Sequence, residues 1–496
     1  MNPTQDTLDL VKGALRSPDD RISKTISTGT GLVAFDLQAP AKNLYPFVTP
    51  IRNAIPRVGG GTGTATNWRQ VTALVGSGYD ATGWVPEGQR SGQMSYATAT
   101  KSATYVTIGE EDAATYEAIS AGRFFEDVQA RMTFRLLQKM MLKEEMAILA
   151  GNASLQLGTP ATPVLSASGS GGTLPAATYY VKVVGLTLEG YQNSGLAAGV
   201  ATTKPITGAD GHSYTLNGGS SDISAEASQA VSSGQALFAS VTALQGAVAY
   251  AWYVGTATGG ETLQAITTVN SVSFSAPLAS GQQAQSAITA DNSANPSYAY
   301  DGLLTNALKS GSNAYVATQP TGTAGTGTPL TASGRGSVVE IDTMFQTMWD
   351  NFELSPTVLY VNVQELKNIT SKVLSNASAP LLRYEASANG NAYDLAAAGA
   401  VSFYFNPFAL NGGLRIPIRI HPRVPPGTII GWAENLPIQY QSSEVPNVAE
   451  IKTRQDYYQI DWPVVTRQRQ VGVYAEEVLA VYAPFAMGVI TNIGNG

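Results

Sequence analysis

Apolar and polar positions between residues 110 and 152 recur at helical spacing. Phe125, Val128, Met132, Leu136 and Met140 fall on one face at about 3.6 residues per turn, while Arg123, Arg131, Arg135, Lys139 and Lys143 fill the other faces. Asp112 is a candidate N-cap and Gly151-Asn152 a fitting stop. Gly122 is the weak point where such a helix would kink or break. Unbroken, the helix would run roughly 60 Å at about 1.5 Å per residue, longer than a globular domain of this size needs. Before it the pattern changes to period two. The chain enters alternation at residue 58, a strand over 68–75 leads into a turn-rich tip at 76–92, and a second strand follows around 103–108. Two strands with a long glycine-containing tip make a projecting hairpin too narrow to hold a core of its own.

After the helix, residues 154–292 become rich in Ser, Thr, Ala and Gly, with very few charges. Strand-like runs recur there at 163–167, 178–186, 247–254, 262–269 and 271–274, separated by Gly, Pro and Asn. That is the signature of a β sandwich or barrel. Trp252 is its candidate core aromatic, and Tyr179, Tyr180 and Tyr253 also lie within strand-like runs. Beyond the insert the chain returns to mixed structure. Residues 337–351 read as a helix with Val338, Ile341, Phe345, Met348 and Trp349 on its apolar side, 356–361 as a buried strand and 363–374 as another helix. Strands are expected at 415–422, 427–434, 456–461 and 470–479. The uncharged run 478–490 contains Pro484 and Gly488 and falls short of the roughly 20 residues of a membrane helix, so it reads as a buried strand pair. Residues 1–50 read as an arm that orders only against something else.

Composition narrows the function. At 496 residues the chain exceeds one ordinary core and two or three domains are expected. Charged residues make up 13% and the formal net charge is −7, which is not the electrostatic footprint of a tight nucleic-acid binder. The absence of cysteine removes disulfides, thiolate nucleophiles and Cys-ligated zinc together. The first 20 residues carry no apolar segment of the signal-peptide kind, so export by that route is not expected.

Catalytic constellations are missing. Neither His212 nor His421 is near another histidine or an obvious carboxylate cluster in the sequence. The adjacent acids Glu110-Glu111-Asp112, Glu144-Glu145 and Glu476-Glu477 do not form facing pairs on a helix, and the first group suits the positive end of the helix dipole. The glycine runs 59–64 and 255–260 have no following lysine and adjoin strands, so neither is a phosphate cradle. No enzyme activity and no cofactor or metal is expected.

The order of these elements, an arm, a hairpin carrying Trp84-Val85-Pro86-Glu87-Gly88, a long helix and an α/β remainder restarting at Tyr300-Asp301-Gly302-Leu303-Leu304, resembles the major capsid proteins of tailed bacteriophages, the Hong Kong 97-type fold. The inserted stretch resembles fibronectin-type-III and immunoglobulin-like modules. The resemblance implies an α+β fold with residues 1–58 as N-terminal arm, 59–109 as extended loop, 110–153 as spine helix, 154–292 as inserted β sandwich, 293–354 with 452–496 as peripheral domain and 355–451 as axial domain. It implies an icosahedral shell in the virion, assembled in the host cytoplasm around double-stranded DNA. The implied partners are copies of this chain in hexamers and pentamers, weakly held DNA, and portal, scaffold or decoration proteins, with no membrane. Trp68, Trp84, Pro86, Glu87 and Arg90 are the candidate contacts between subunits. An encapsulin-like container and a glycan-binding adhesin are the alternatives.

Overall fold

The computed structural model describes residues 46–75, 83–123, 126–333, 336–374, 384–386, 393–395, 401–409, 413–436 and 447–496. The expected arm up to residue 45, Phe125 of the helical stripe and much of the hairpin tip lie outside them.

The long helix spans Val128–Ala150, about 35 Å at about 1.5 Å per residue. It starts where the Asp127 carboxylate accepts from the backbone N–H groups of Gln129 (3.0 Å) and Ala130 (3.1 Å). It stops at Gly151, whose N–H still reaches the Ala147 carbonyl at 2.8 Å. Met132, Leu136 and Met140 are buried as their spacing requires, against Ala114, Val471, Val473 and Ala475. The expected start at residue 110 and the Asp112 cap are corrected. Residues Val106–Thr115 form a strand, a short helix Tyr116–Ala121 follows, and Gly122 ends it. Helix propensity is overridden because all ten of these residues pair with 468–477 on the long strand Gln468–Val481. The acids expected at a helix end are held differently: Glu110 by Lys143 and Glu111 by the Tyr474 hydroxyl. Gly109 is fixed by the same pairing, since a Cβ there would lie 2.3 Å from the Tyr474 ring.

Those strands belong to a four-stranded sheet in the order Arg57–Val58, Ala449–Asp461, Gln468–Val481, Val106–Thr115. The long helix covers one face of this sheet. Beside it stands a six-stranded mixed sheet in the order Tyr315–Thr318, Met487–Thr491, Ile429–Trp432, Val358–Val361, Leu414–Ile420, Phe403–Asn406. Helices Val339–Phe352 and Val363–Leu374 flank it. Ile341, Phe345 and Met348 of the first helix enter a single core running from Ile51 to Ile493. This sheet crosses the expected border between peripheral and axial parts, because its strands at 315–318 and 487–491 come from stretches expected to be peripheral. The run 478–490 is buried as expected, but its two strands enter different sheets around the turn Pro484–Ala486.

The insert is a two-sheet module. One sheet orders Ala227–Val231, Ala177–Leu186, Ala249–Gly255 and Thr262–Thr267, with Ser220–Ile223 also pairing to the second of these; the other orders Ser271–Phe274, Leu237–Ser240 and Val164–Ala167. Tyr179, Val181, Val183 and Trp252 meet Leu237, Ala239, Val272 and Phe274 between the sheets. Trp252 is fully buried and its indole N–H donates to the Thr267 hydroxyl at 2.8 Å. The two ends of the module are tied side by side: Asn295 N–H donates to the Asn152 carbonyl (2.8 Å), and the Asn152 amide donates to the carbonyls of Leu155 and Ser293 (2.7 Å each). A hairpin of Thr203–Thr207 and Ser213–Asn217 extends from the module.

Candidate assembly surfaces

Strands Ala65–Val75 and Ser95–Thr104 form an antiparallel two-stranded hairpin, reaching about 35 Å at about 3.3 Å per residue. None of the described side chains from Gly83 to Thr104 is buried. Large apolar groups stand in solvent: Val71 is 61% exposed, Trp84 91%, Met94 67% and Tyr96 66%. Trp84, Pro86, Glu87 and Arg90 thus sit together in the tip segment 83–92. Trp68 sits apart from them at the root, where its ring meets Tyr482 edge-on at 5.4 Å and the neighbouring Gln70 amide donates to the Tyr482 carbonyl. An isolated ribbon of this kind is marginal in water, so its exposed apolar groups call for an external cover.

Two further apolar surfaces lie elsewhere. The turn joining Ala449–Asp461 to Gln468–Val481 exposes Trp462, Val464 and Val465. The edge strand Phe403–Asn406 exposes Phe403 and Phe405. An edge strand with exposed aromatics is open to further pairing.

At the opposite extreme is a buried polar junction that fixes the start of the described chain to the body. Glu145 is fully buried on the long helix, and its carboxylate accepts from Ile51 N–H (3.1 Å), Arg52 N–H (2.7 Å) and His421 Nε2 (2.7 Å). His421 Nδ1 accepts from Arg423 N–H at 3.2 Å, which leaves Nε2 as the donor. The adjacent Glu144 takes Arg52 Nε at 2.6 Å, together with Arg57 and the Tyr457 hydroxyl. Arg57 continues to Asp456 (2.5 Å) and Glu477 (3.1 Å), and Glu477 accepts from the Tyr300 hydroxyl at 3.2 Å. Burial lowers the affinity of Arg57 for its proton, but the Asp456 hydrogen bond and the Glu477 charge outweigh it, and its pKa is raised. His421 is therefore structural, with its partner far away along the chain. Sequence spacing held no signal for that pair.

Burial also pushes the Glu477 and Glu365 carboxyls above the ordinary carboxylate value, against the opposing Arg57 charge for Glu477 and the Gly427 N–H bond for Glu365. A raised folded-state value means that the contribution to stability is complete below the unfolded value of about 4.3 and is lost as pH rises through the raised one. As pH rises above about 4.3 these two groups should make the chain progressively less stable until the raised folded-state values are passed. Glu365→Gln should flatten that decline in a series of thermal melts, and an unchanged slope would show that Glu365 does not titrate there.

Among the described residues no group of three or more His, Cys, Asp or Glu could hold a metal ion, and no helix is long and apolar enough to cross a membrane. His212 stands exposed with Asp210 at 3.2 Å.

No family model and no curated relative matches the chain. Among solved structures it is similar to the capsid of the native GTA particle, with 10% identity over 96% of this chain and 100% of that one and a TM-score of 0.42. It is similar to the capsid of Myoviridae phage XM1, with 8% identity over 95% and 100% and a TM-score of 0.39. It is also similar to the holo-SrpI encapsulin complex from Synechococcus elongatus PCC 7942, with 9% identity over 92% and 93% and a TM-score of 0.38. Likeness at these scores carries no functional weight of its own, so the chain's own surfaces must carry the reading.

Proposed function

We propose that this chain is a shell-building subunit, a major capsid protein of the Hong Kong 97 type that self-assembles into an icosahedral container for double-stranded DNA. The observation that carries the reading is the hairpin, which projects from a well-packed body with its large apolar side chains uncovered. A shell needs several separate surfaces that each bury modest area and become stable together through closed symmetry. The hairpin, the turn at 462–465 and the edge strand Phe403–Asn406 are three such surfaces on different parts of the chain. In this reading residues 46–58 are the end of an arm, the hairpin is the extended loop, Val128–Ala150 is a spine, and the insert is an immunoglobulin-like module on the outer surface. A net charge of −7 suits a wall that holds packaged DNA only weakly.

Expression of the chain alone in bacteria, electron microscopy of the product and its ultraviolet absorbance ratio test the reading. Closed shells, five- or six-membered rings or curved sheets are expected. A dispersed monomer at high concentration would contradict it, and particles filled with a co-purifying protein would favour a cargo container of the encapsulin kind.

A further inference from the structure

The glycine run 255–260, which is no phosphate cradle, joins Ala249–Gly255 to Thr262–Thr267 at one end of the larger sheet of the inserted module. Gly259 has φ +75°, and a Cβ on Gly255 would lie 2.8 Å from the Gly260 carbonyl, so the turn needs both glycines. Ala227, Val181, Val254 and Thr262 stand in register across that sheet. Glu226 and Glu261, the residues just before the first and last of these strands, therefore arrive at the same turn. The Gly259 N–H lies 3.3 Å from Glu226 Oε2 and 3.4 Å from Glu261 Oε1, and the two carboxyls touch one another.

Glu261 is fully buried, and its Oε2 has no hydrogen-bond partner. Among the described residues neither acid has a cation within 4 Å. The Lys182 ammonium acts on both from farther off and donates to Gln285 Oε1 at 3.4 Å. Burial, and after it the contact with Glu226, pushes the Glu261 carboxyl above its ordinary value, while the same contact draws Glu226 below it. One shared N–H cannot satisfy two carboxyls, and the buried oxygen cannot turn to solvent instead.

We propose that Glu226 and Glu261 bind a calcium ion at this turn, which clamps the entry of Ala227–Val231 to the hairpin loop. The side chains that meet there offer oxygen alone, from the two acids and from the Thr258 hydroxyl bonded to Glu226, which selects a hard cation. Calcium accepts an irregular, partly hydrated shell, whereas magnesium demands a near-octahedral one. Two carboxylates make a weak site, with a dissociation constant on the order of 0.1–1 mM. The inference does not rest on the shell-subunit reading.

Terbium, a luminescent stand-in for calcium, tests it on the full chain. Trp252 and Tyr253 lie on the strand that leads into the turn, so excitation of the aromatic side chains should give saturable terbium emission that calcium displaces on the order of 0.1–1 mM. Glu226→Gln and Glu261→Gln should each weaken binding about tenfold, since ligand charge sets affinity in such sites. Asp210→Asn, at an exposed acid on the module's other hairpin, should leave it unchanged. Calcium should also raise the melting midpoint of the unmodified chain and of Asp210→Asn, but of neither glutamine variant. Glu226 is only half-buried, so its variant keeps the test open should Glu261→Gln fail to fold. Emission and calcium stabilisation that persist in both glutamine variants would reveal adventitious surface binding and overturn the site. No calcium response in the unmodified chain would overturn it too, and a Glu261→Gln chain more stable at neutral pH would then show that the two carboxyls share a proton instead.

Discussion

Replacing residues 70–99 by an Asn-Gly turn is expected to abolish particle formation while leaving a folded subunit. Arg69 and Thr100 are directly paired, and Asn-Gly is the favoured two-residue connection for such a pair. The subunit should keep its unfolding midpoint nearly unchanged, because none of the described side chains from Gly83 to Ala99 is buried and the Gln70 contact to Tyr482 is a single hydrogen bond. Assembly should suffer heavily. Covering a large apolar side chain contributes about 1.5–3 kcal/mol, and the truncation removes Val71, Trp84, Met94 and Tyr96 together. Loss of even ~3 kcal/mol per contact raises the concentration needed for association on the order of a hundredfold. Light scattering against concentration measures it. A truncated chain that assembles at the wild-type concentration would remove the hairpin from the mechanism.

Glu145→Ala should have the largest effect on the isolated subunit. The substitution strips the acceptor from Ile51 N–H, Arg52 N–H and His421 Nε2, all at a site where both side chains are fully buried. Each buried donor left without its acceptor costs about 1–3 kcal/mol because it stays desolvated, and three together are a large share of a typical total of about 5–15 kcal/mol. Urea titration should show that loss, and hydrogen exchange should show residues 50–54 opening first. A loss under about 1 kcal/mol would mean that water replaces the carboxylate and that the junction does not anchor this segment. Glu144→Gln should cost less, since its partners Arg52 and Arg57 keep other acceptors in Asn53, Asp456 and Glu477.

The helical stripe and the first strand of the hairpin were legible because their periodicities are local; the second strand, expected around 103–108, instead lies at Ser95–Thr104, and 106–108 open the strand that joins the four-stranded sheet. Met132, Leu136 and Met140 are buried where a period of 3.6 puts them, and the break at Gly122 is where a flexible residue without a side chain allows it. Residues 110–115 read as helix because Glu110, Glu111, Asp112 and the alanines carry no strand propensity, while 106–108 read as the returning strand of the hairpin; what makes Val106–Thr115 one strand is ten pairings to residues more than 350 positions away. Five strands within 154–292 were legible for the same reason as the helix, since alternation and turn residues are written locally and Ser271–Phe274 falls where they put it; Thr203–Thr207, Ser213–Asn217, Ser220–Ile223, Ala227–Val231 and Leu237–Ser240 were not. The order of the six-stranded sheet, which brings 315–318 and 487–491 beside strands from 358–432, was not, because strand order in a mixed sheet is set by packing among distant segments. The anchoring junction was invisible for a related reason: Glu145 and His421 lie 276 residues apart, and nothing in either local sequence marks the other.

The most direct test of the central claim is a cryo-electron microscopy reconstruction of the particles formed by the unmodified chain. The account predicts a closed icosahedral shell in which strands Ala65–Val75 and Ser95–Thr104 of each copy lie against a neighbouring copy, with Trp84 out of solvent. A closed shell with the hairpin free in solvent, or the absence of any closed shell, would contradict it.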